Sequence, residues 1–347
     1  MFAGRFWLGL VLIALAVPAS AQPVATSTDS VDVVVLPFAN HSGRYEALGN
    51  VLPVFYSKVD SLGLPVLTHE LLRPILRKHR IRVVGQIGAA AMGIIRQETG
   101  ARLAIVGSID IYEPERAFEV MISARLVDLE ERRVLTAISV GRTVQETERI
   151  FGRGRAEEID EIVTEVVAEF MGRMIPVIRD AGPREARGHK CGLVAVVPLT
   201  DYSQRRHGAE VLQNLLMSEL VARDWNVVEP GIVREVLLDQ QQAARGGVSE
   251  KVMETLRDQI GVCLVVTGEV EEFAVAPSDM DASVPRINYG LRLVDVQNAR
   301  LLASIDRTRD GMEGETLFAR GREYSMARVV RSSMDEVAEW IAEKGDQ

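Results

Sequence analysis

Two arginines flanking a glycine occur twice in this sequence, in Phe151-Gly152-Arg153-Gly154-Arg155 and in Phe318-Ala319-Arg320-Gly321-Arg322. A guanidinium offers planar, paired donors, so such a pair can grip a carboxylate or phosphate or anchor a protein contact. Arg153, Arg155, Arg320 and Arg322 are therefore candidate interface or anion-binding residues. Salt bridges to Glu157, Glu158 or Glu323 are their structural alternative. A second candidate set is Asn40 and Ser42 with Asp201 and Ser203, each pair just past an apolar, Val-rich run. Open α/β sheets place ligand sites beyond strand ends of this kind. The same residue types also cap turns and helix starts by accepting backbone N–H bonds. Cys191 and Cys263 are the only cysteines, and they are a candidate disulfide in an oxidising compartment. The five histidines show no metal-pair spacing on one helix; His69 and His79 lie 10 positions apart. No nucleophile elbow, phosphate loop or dinucleotide fingerprint occurs. Catalytic residues, metal ligands and cofactors are accordingly not assigned, and the chain is not read as an enzyme.

The elements that must carry these residues are written twice. Val33–Phe38 and Leu193–Leu199 are matching apolar runs, with Pro37 and Pro198 offset by 161 positions. Gly100 with Gly261 and Gly107 with Gly268 keep that offset. Leu126-Val127-Asp128 and Leu293-Val294-Asp295 are offset by 167, as are the two Phe-x-Arg-Gly-Arg segments. Such ordered landmarks indicate a tandem duplication, with six extra residues in the second copy between Gly268 and Leu293. Continuous Val-rich runs read as buried strands, and apolar stripes at spacings of three and four read as helices. Each copy is expected to run β-α-β-α-α-β-β-β-α. The fold class is thus α/β: two tandem repeats of a mixed β-sheet packed with helices. The boundaries read 1–21, 22–31 (a flexible amino-terminal segment), 32–175, 176–190 (a polar Pro/Gly-containing linker) and 191–344.

The first 21 residues have the form of a cleavable signal peptide: Arg5, an apolar run Phe6–Val17 and Ala19-Ser20-Ala21. Export to the periplasm follows, possession of a peripheral place at the outer membrane being a further expectation. The chain has 347 residues, 47% of them hydrophobic and 26% charged, with a formal net charge of −9. That balance suits a folded exported protein of two domains. It argues against nucleic acid as a partner, because phosphate contacts need a basic surface. No later stretch reads as an integral membrane span.

The strand ending in Pro and Phe or Leu followed by Asn/Asp-x-Ser, the segments Gly100–Gly107 and Gly261–Gly268, and Arg125–Leu135 with Arg292–Leu302 resemble the CsgG-like family. That family is related in fold to the TolB amino-terminal domain and to LpoB. The resemblance spans both copies and rests on core and turn residues. It implies an envelope protein that works by assembly and protein contacts. The chain departs from CsgG in its short connections Glu113–Arg116 and Glu271–Arg286, which lack the long alternating strands of a membrane barrel, and in having no lipidation cysteine. The expected function is a non-enzymatic periplasmic protein-interaction or assembly module without membrane-spanning hairpins. Its partners would be envelope proteins, with a homo-oligomer as one form. Two alternatives remain: a small-ligand-binding protein with a cleft between the repeats, and a component of an outer-membrane secretion channel.

Overall fold

A computed structural model describes residues 33–61, 63, 66–82, 85–115, 118–144, 159–180, 192–242, 247–277, 283–314 and 321–345. Among the described residues it is an α/β structure of eight helices and two mixed sheets. In the first unit the chain forms β1 (Val33–Val35), β2 (Ala39–Asn40), α1 (Ala47–Asp60), β3 (Val66–Leu67), α2 (His69–Lys78) and α3 (Ala89–Thr99). It continues through β4 (Leu103–Glu113), β5 (Glu119–Asp128), β6 (Arg133–Thr143) and α4 (Ile159–Arg179). The second unit has β7 (Leu193–Val196), β8 (Thr200–Asp201), α5 (Gly208–Ala222), α6 (Pro230–Asp239), α7 (Glu250–Thr255) and a π-helical turn Leu256–Ile260. Then come β9 (Val262–Pro277), β10 (Ser283–Asp295), β11 (Arg300–Asp310) and α8 (Met326–Gly345).

The first sheet has the order β3-β1-β4-β5-β6, with β2 beside β4; β1 is parallel to β3 and β4, and β4, β5 and β6 are antiparallel. The second has the order β11-β10-β9-β7, with β8 beside β9. The segment Trp225–Val228 makes one parallel bridge, Val194 to Val227. The first strand is shorter than expected. Pro37 has no N–H to donate, so the ladder stops at Val35 and resumes as β2, while Leu36 still bonds Ile105 O at 3.0 Å. The fourth helix runs to Arg179, past Pro176 where the linker was expected to start. Its last turns hold Ile175, Val177 and Ile178 against the first core, which favours continuation. Ser249 caps α7, accepting from Val252 N.

Helices α1 and α4 cover one face of the first sheet through Val51, Phe55, Val166 and Phe170. The other face is covered by two sources. Its own α2 and α3 lie over β1. Helices α5 and α8 of the second unit lie over β4, β5 and β6, and the same two helices cover one face of the second sheet. The order of layers is therefore helix, sheet, helix, sheet. Burying two sheets on one helical layer joins the second unit's core to part of the first in a single apolar cluster.

Candidate functional site

The strands bring a row of polar side chains onto the covered face of the first sheet, and the second unit meets them. Arg125 on β5 donates from Nε to Glu229 Oε2 at 2.7 Å and from NH2 to Glu229 Oε1 at 3.1 Å. Its NH1 reaches Asn214 Oδ1 at 3.1 Å, and its NH2 reaches Gly85 O at 2.5 Å. Glu229 also accepts from Ile87 N at 3.1 Å. Both members of this ion pair are buried. A planar fork aimed at a carboxylate is the geometry that makes such a pair directional.

A second cluster centres on Asp110, the residue bulged out of β4. Its Oδ1 lies 3.0 Å from His41 Nδ1 and accepts from Ser108 Oγ at 2.7 Å and Asn214 Nδ2 at 3.1 Å. Arg205, from the loop before α5, donates to the carbonyls of Asp110 and Ser42 at 3.4 and 3.5 Å and lies over the Phe273 ring at 5.1 Å. Burial pulls the Arg205 guanidinium below its usual range. The rings of His41 and His207 stand 5.2 Å apart.

The third contact is Glu119 on β5 with the start of α8. Its carboxylate accepts from Ser325 Oγ at 2.6 Å, Met326 N at 3.2 Å and Ala327 N at 2.7 Å. The first turn of α8 holds no acidic residue of its own, so the first unit supplies the anion that a helix start favours. Burial nevertheless pushes the Glu119 carboxyl up to about 7, against the hydrogen bonds that pull it down. Further along, Arg331 donates to Ser139 O at 3.0 Å, and Ala89 N at the start of α3 donates to Glu235 Oε2 at 2.7 Å.

The strand-end candidates form the turns that support this seam. Asn40 Oδ1 accepts from Ser42 N and Ser42 Oγ, at 3.1 and 2.6 Å. Asp201 Oδ1 accepts likewise from Ser203 at 2.9 and 2.6 Å, and its Oδ2 accepts from Ala209 N in the first turn of α5. The two turns shape the loops whose neighbours, His41 with His207 and Ser42 with Arg205, meet across the units. Of the arginine motif, Arg153, Arg155 and Arg320 lie outside the described residues. Arg322 is half-buried, and the adjacent Gly321 lines a cleft of about 680 Å³ between β11 and α8, together with Arg309, Arg328 and Arg331. Cys263 at the start of β9 is disulfide-bonded, and Cys191 lies outside the described residues. Among the described residues there is no group of three or more His, Cys, Asp or Glu that could hold a metal ion, and no helix long and apolar enough to cross a membrane.

Of the seam residues, Arg125 opens the segment Arg125–Leu135, while Asp110, Glu119 and Glu229 belong to no motif of the sequence. Their signal was present as charges inside buried strands: Asp110 in β4, and Glu119 and Arg125 in β5. A charge there needs a partner from outside its own sheet.

The second sheet presents its own uncovered face over β9, β10 and β11. Asn288 donates to Glu271 Oε2 at 2.7 Å, and Arg292 lies 3.8 Å from Glu269. Asp306 stands over Gly290, where an added Cβ would meet its Oδ1 at 2.7 Å. Thr308, Ser304 and Leu301 on the edge strand are exposed. The corresponding face of the first sheet is the one that α5 and α8 cover.

No family model matches this chain, and no curated protein matches it. Solved structures align with it in part. A PelC dodecamer from Paraburkholderia phytofirmans aligns at 24% identity, covering 45% of this chain and 89% of that chain with a TM-score of 0.30. Lipoprotein GNA1162 from Neisseria meningitidis aligns at 20% identity, covering 42% and 98%, with a TM-score of 0.32. The LpoB C-terminal domain from Escherichia coli aligns at 10% identity, covering 40% and 92%, with a TM-score of 0.25.

Proposed function

We propose that this chain is a non-enzymatic, periplasmic protein-interaction or assembly module of the cell envelope, built from two tandem CsgG-like repeats without membrane-spanning hairpins. One observation carries the reading: the molecule already uses this fold as a docking surface. Helices α5 and α8 lie on the first sheet, and their contact is fixed by Arg125–Glu229, Asp110–Asn214 and Glu119–Ala327. The polar groups that sequence spacing suggested as a ligand site are occupied in turns and in this contact. The uncovered face of the second sheet is the corresponding surface left for a partner.

A photo-crosslinking residue at Thr308, on that face, tests the proposal. It is expected to capture an envelope protein in exporting cells, whereas the same residue at Lys251 on α7 captures none. Equal capture from both positions, or none from either, would remove the support.

A second reading has its own observation. A cleft of about 390 Å³ between the units has an apolar floor of Val227, Val228, Ile232 and Val236 and a rim that includes Arg132 and Asp239. Pockets at domain boundaries with an apolar floor and few polar groups commonly hold small ligands. Thermal-shift screening against small metabolites checks it, and no shift with Val236→Trp or wild type alike would count against it.

A further inference from the structure

The docking of the second unit on the first joins two different surfaces, so it leaves one of each surface unused at opposite ends of the chain. The unused helix end belongs to the first unit, and the unused sheet face belongs to the second. Residues in the used contact have counterparts at the free ends, at the offsets of 161 and 167. Ile232 and Val134 are buried in the cluster at the seam, 7% and 6% exposed. Their counterparts Leu71 and Leu301 are 62% and 54% exposed, both large apolar side chains left in water.

The charges change in step. In the seam Glu119 meets a helix start with no acid in its first turn. Its counterpart Arg286 has the opposite sign, and the counterpart helix α4 begins with Asp160 and Glu161. The bulged Asp110 is approached by Arg205. The residue bulged out of β9 is Glu271, where the pairing with β10 slips between Val270 and Glu272, and the counterpart of Arg205 is Arg44. Arg44 is partly exposed at the helix end, where it already pairs with two carboxylates of its own unit, Glu113 and Glu115, at 3.1 and 3.6 Å. Glu269 replaces Ser108 and keeps Arg292 beside it at 3.8 Å.

We infer that the partner of the uncovered second sheet is a second copy of this chain, docked head to tail, with Leu301, Arg286 and Glu271 of one protomer facing Leu71, Asp160/Glu161 and Arg44 of the next. This deepens the assembly reading by naming the partner. Such a contact joins unlike surfaces, so it grows into a ring if the rotation closes and a filament if it does not.

Light scattering after size exclusion tests this on chain expressed from its full coding sequence and purified. Wild type is expected to exceed the monomer mass, increasingly with concentration. Leu71→Asp and Leu301→Asp each remove one end from an exposed site, so each alone should run as a monomer with the melting curve of wild type. Mixed together, they should form dimers and nothing larger, because each retains the end that the other lacks. Wild type staying monomeric at tens of micromolar, or an equimolar mixture staying monomeric beside an associating wild type, would overturn the inference. A monomeric wild type that still crosslinks another envelope protein through Thr308 would overturn the self-docking and leave the assembly reading intact.

Discussion

Arg125 and Glu229 stand 104 positions apart and form a two-pronged, fully enclosed ion pair between the two sheets. Each charge is out of water, so each depends on the other. Glu229→Gln and Arg125→Met alone should each cost about 3–5 kcal/mol of unfolding free energy, because one charge stays buried without its partner. The double variant Arg125→Met/Glu229→Leu should lose far less. Urea unfolding of the three proteins measures this, and additive losses would show that the two side chains act separately.

Glu119 links stability to pH. Its carboxyl is pushed up to about 7 in the folded chain, from an ordinary value of 4.5. The folded protein therefore binds the proton more tightly than the unfolded chain. The associated stability is fully present below about 4.5 and is lost as pH rises through 7. Relative to Glu119→Gln, wild type should lose about 3 kcal/mol between those limits. Parallel melting curves of the two proteins from pH 4.5 to 8 supply the check. A constant difference would place the Glu119 proton elsewhere.

Gly231 sits where α6 approaches the first unit. An added Cβ would stand 2.3 Å from the carbonyl carbon and oxygen of Ile87 and 2.7 Å from Gly88 N. Backbone cannot move aside as a side-chain tip can. Gly231→Ala should therefore push the units apart and turn a single unfolding transition into two, visible by calorimetry. One sharp transition at the wild-type temperature would show that the segment yields.

The disulfide at Cys263 should tie the second unit. Paired with Cys191, the other cysteine in the sequence, it would close a loop of about 70 residues, worth roughly 4 kcal/mol in the chain-entropy model. Cys263→Ser should lower the denaturant midpoint, and intact mass after alkylation should show no free thiol in wild type. A midpoint independent of reductant would remove that stabilisation.

The succession of elements is legible because similar apolar patterns recur in the two halves of the sequence. Val33–Val35 with Leu193–Val196, and the stripe of Val51 and Phe55 with that of Leu212 and Leu216, read alike through their apolar spacing. The helix ends at Gly100 and Gly261 were marked by the glycines themselves, which take φ of 73° and 84° there. Pro37 ends β1 as its missing N–H requires, and the chain pairs with β4 again at β2. The candidate site was less legible. Asn40 and Asp201 were visible as turn formers, yet nothing local in the sequence says that Arg125 finds Glu229 or that Glu119 reaches Ala327. Those contacts follow from the placing of one unit on the other, and periodicity within a unit carries no information about it.

The shared helical layer has a consequence for how the chain can change over time. Of the fifteen residues of α5, eleven are buried, against four of the fourteen in α1. A substitution in α5 is judged by two sheets at once, whereas one on the outer side of α1 is judged by one sheet or by none. The two halves therefore cannot drift at the same pace. The first half's outer helices are free to acquire new surface chemistry, while α5 and α8 hold the record of the original fit.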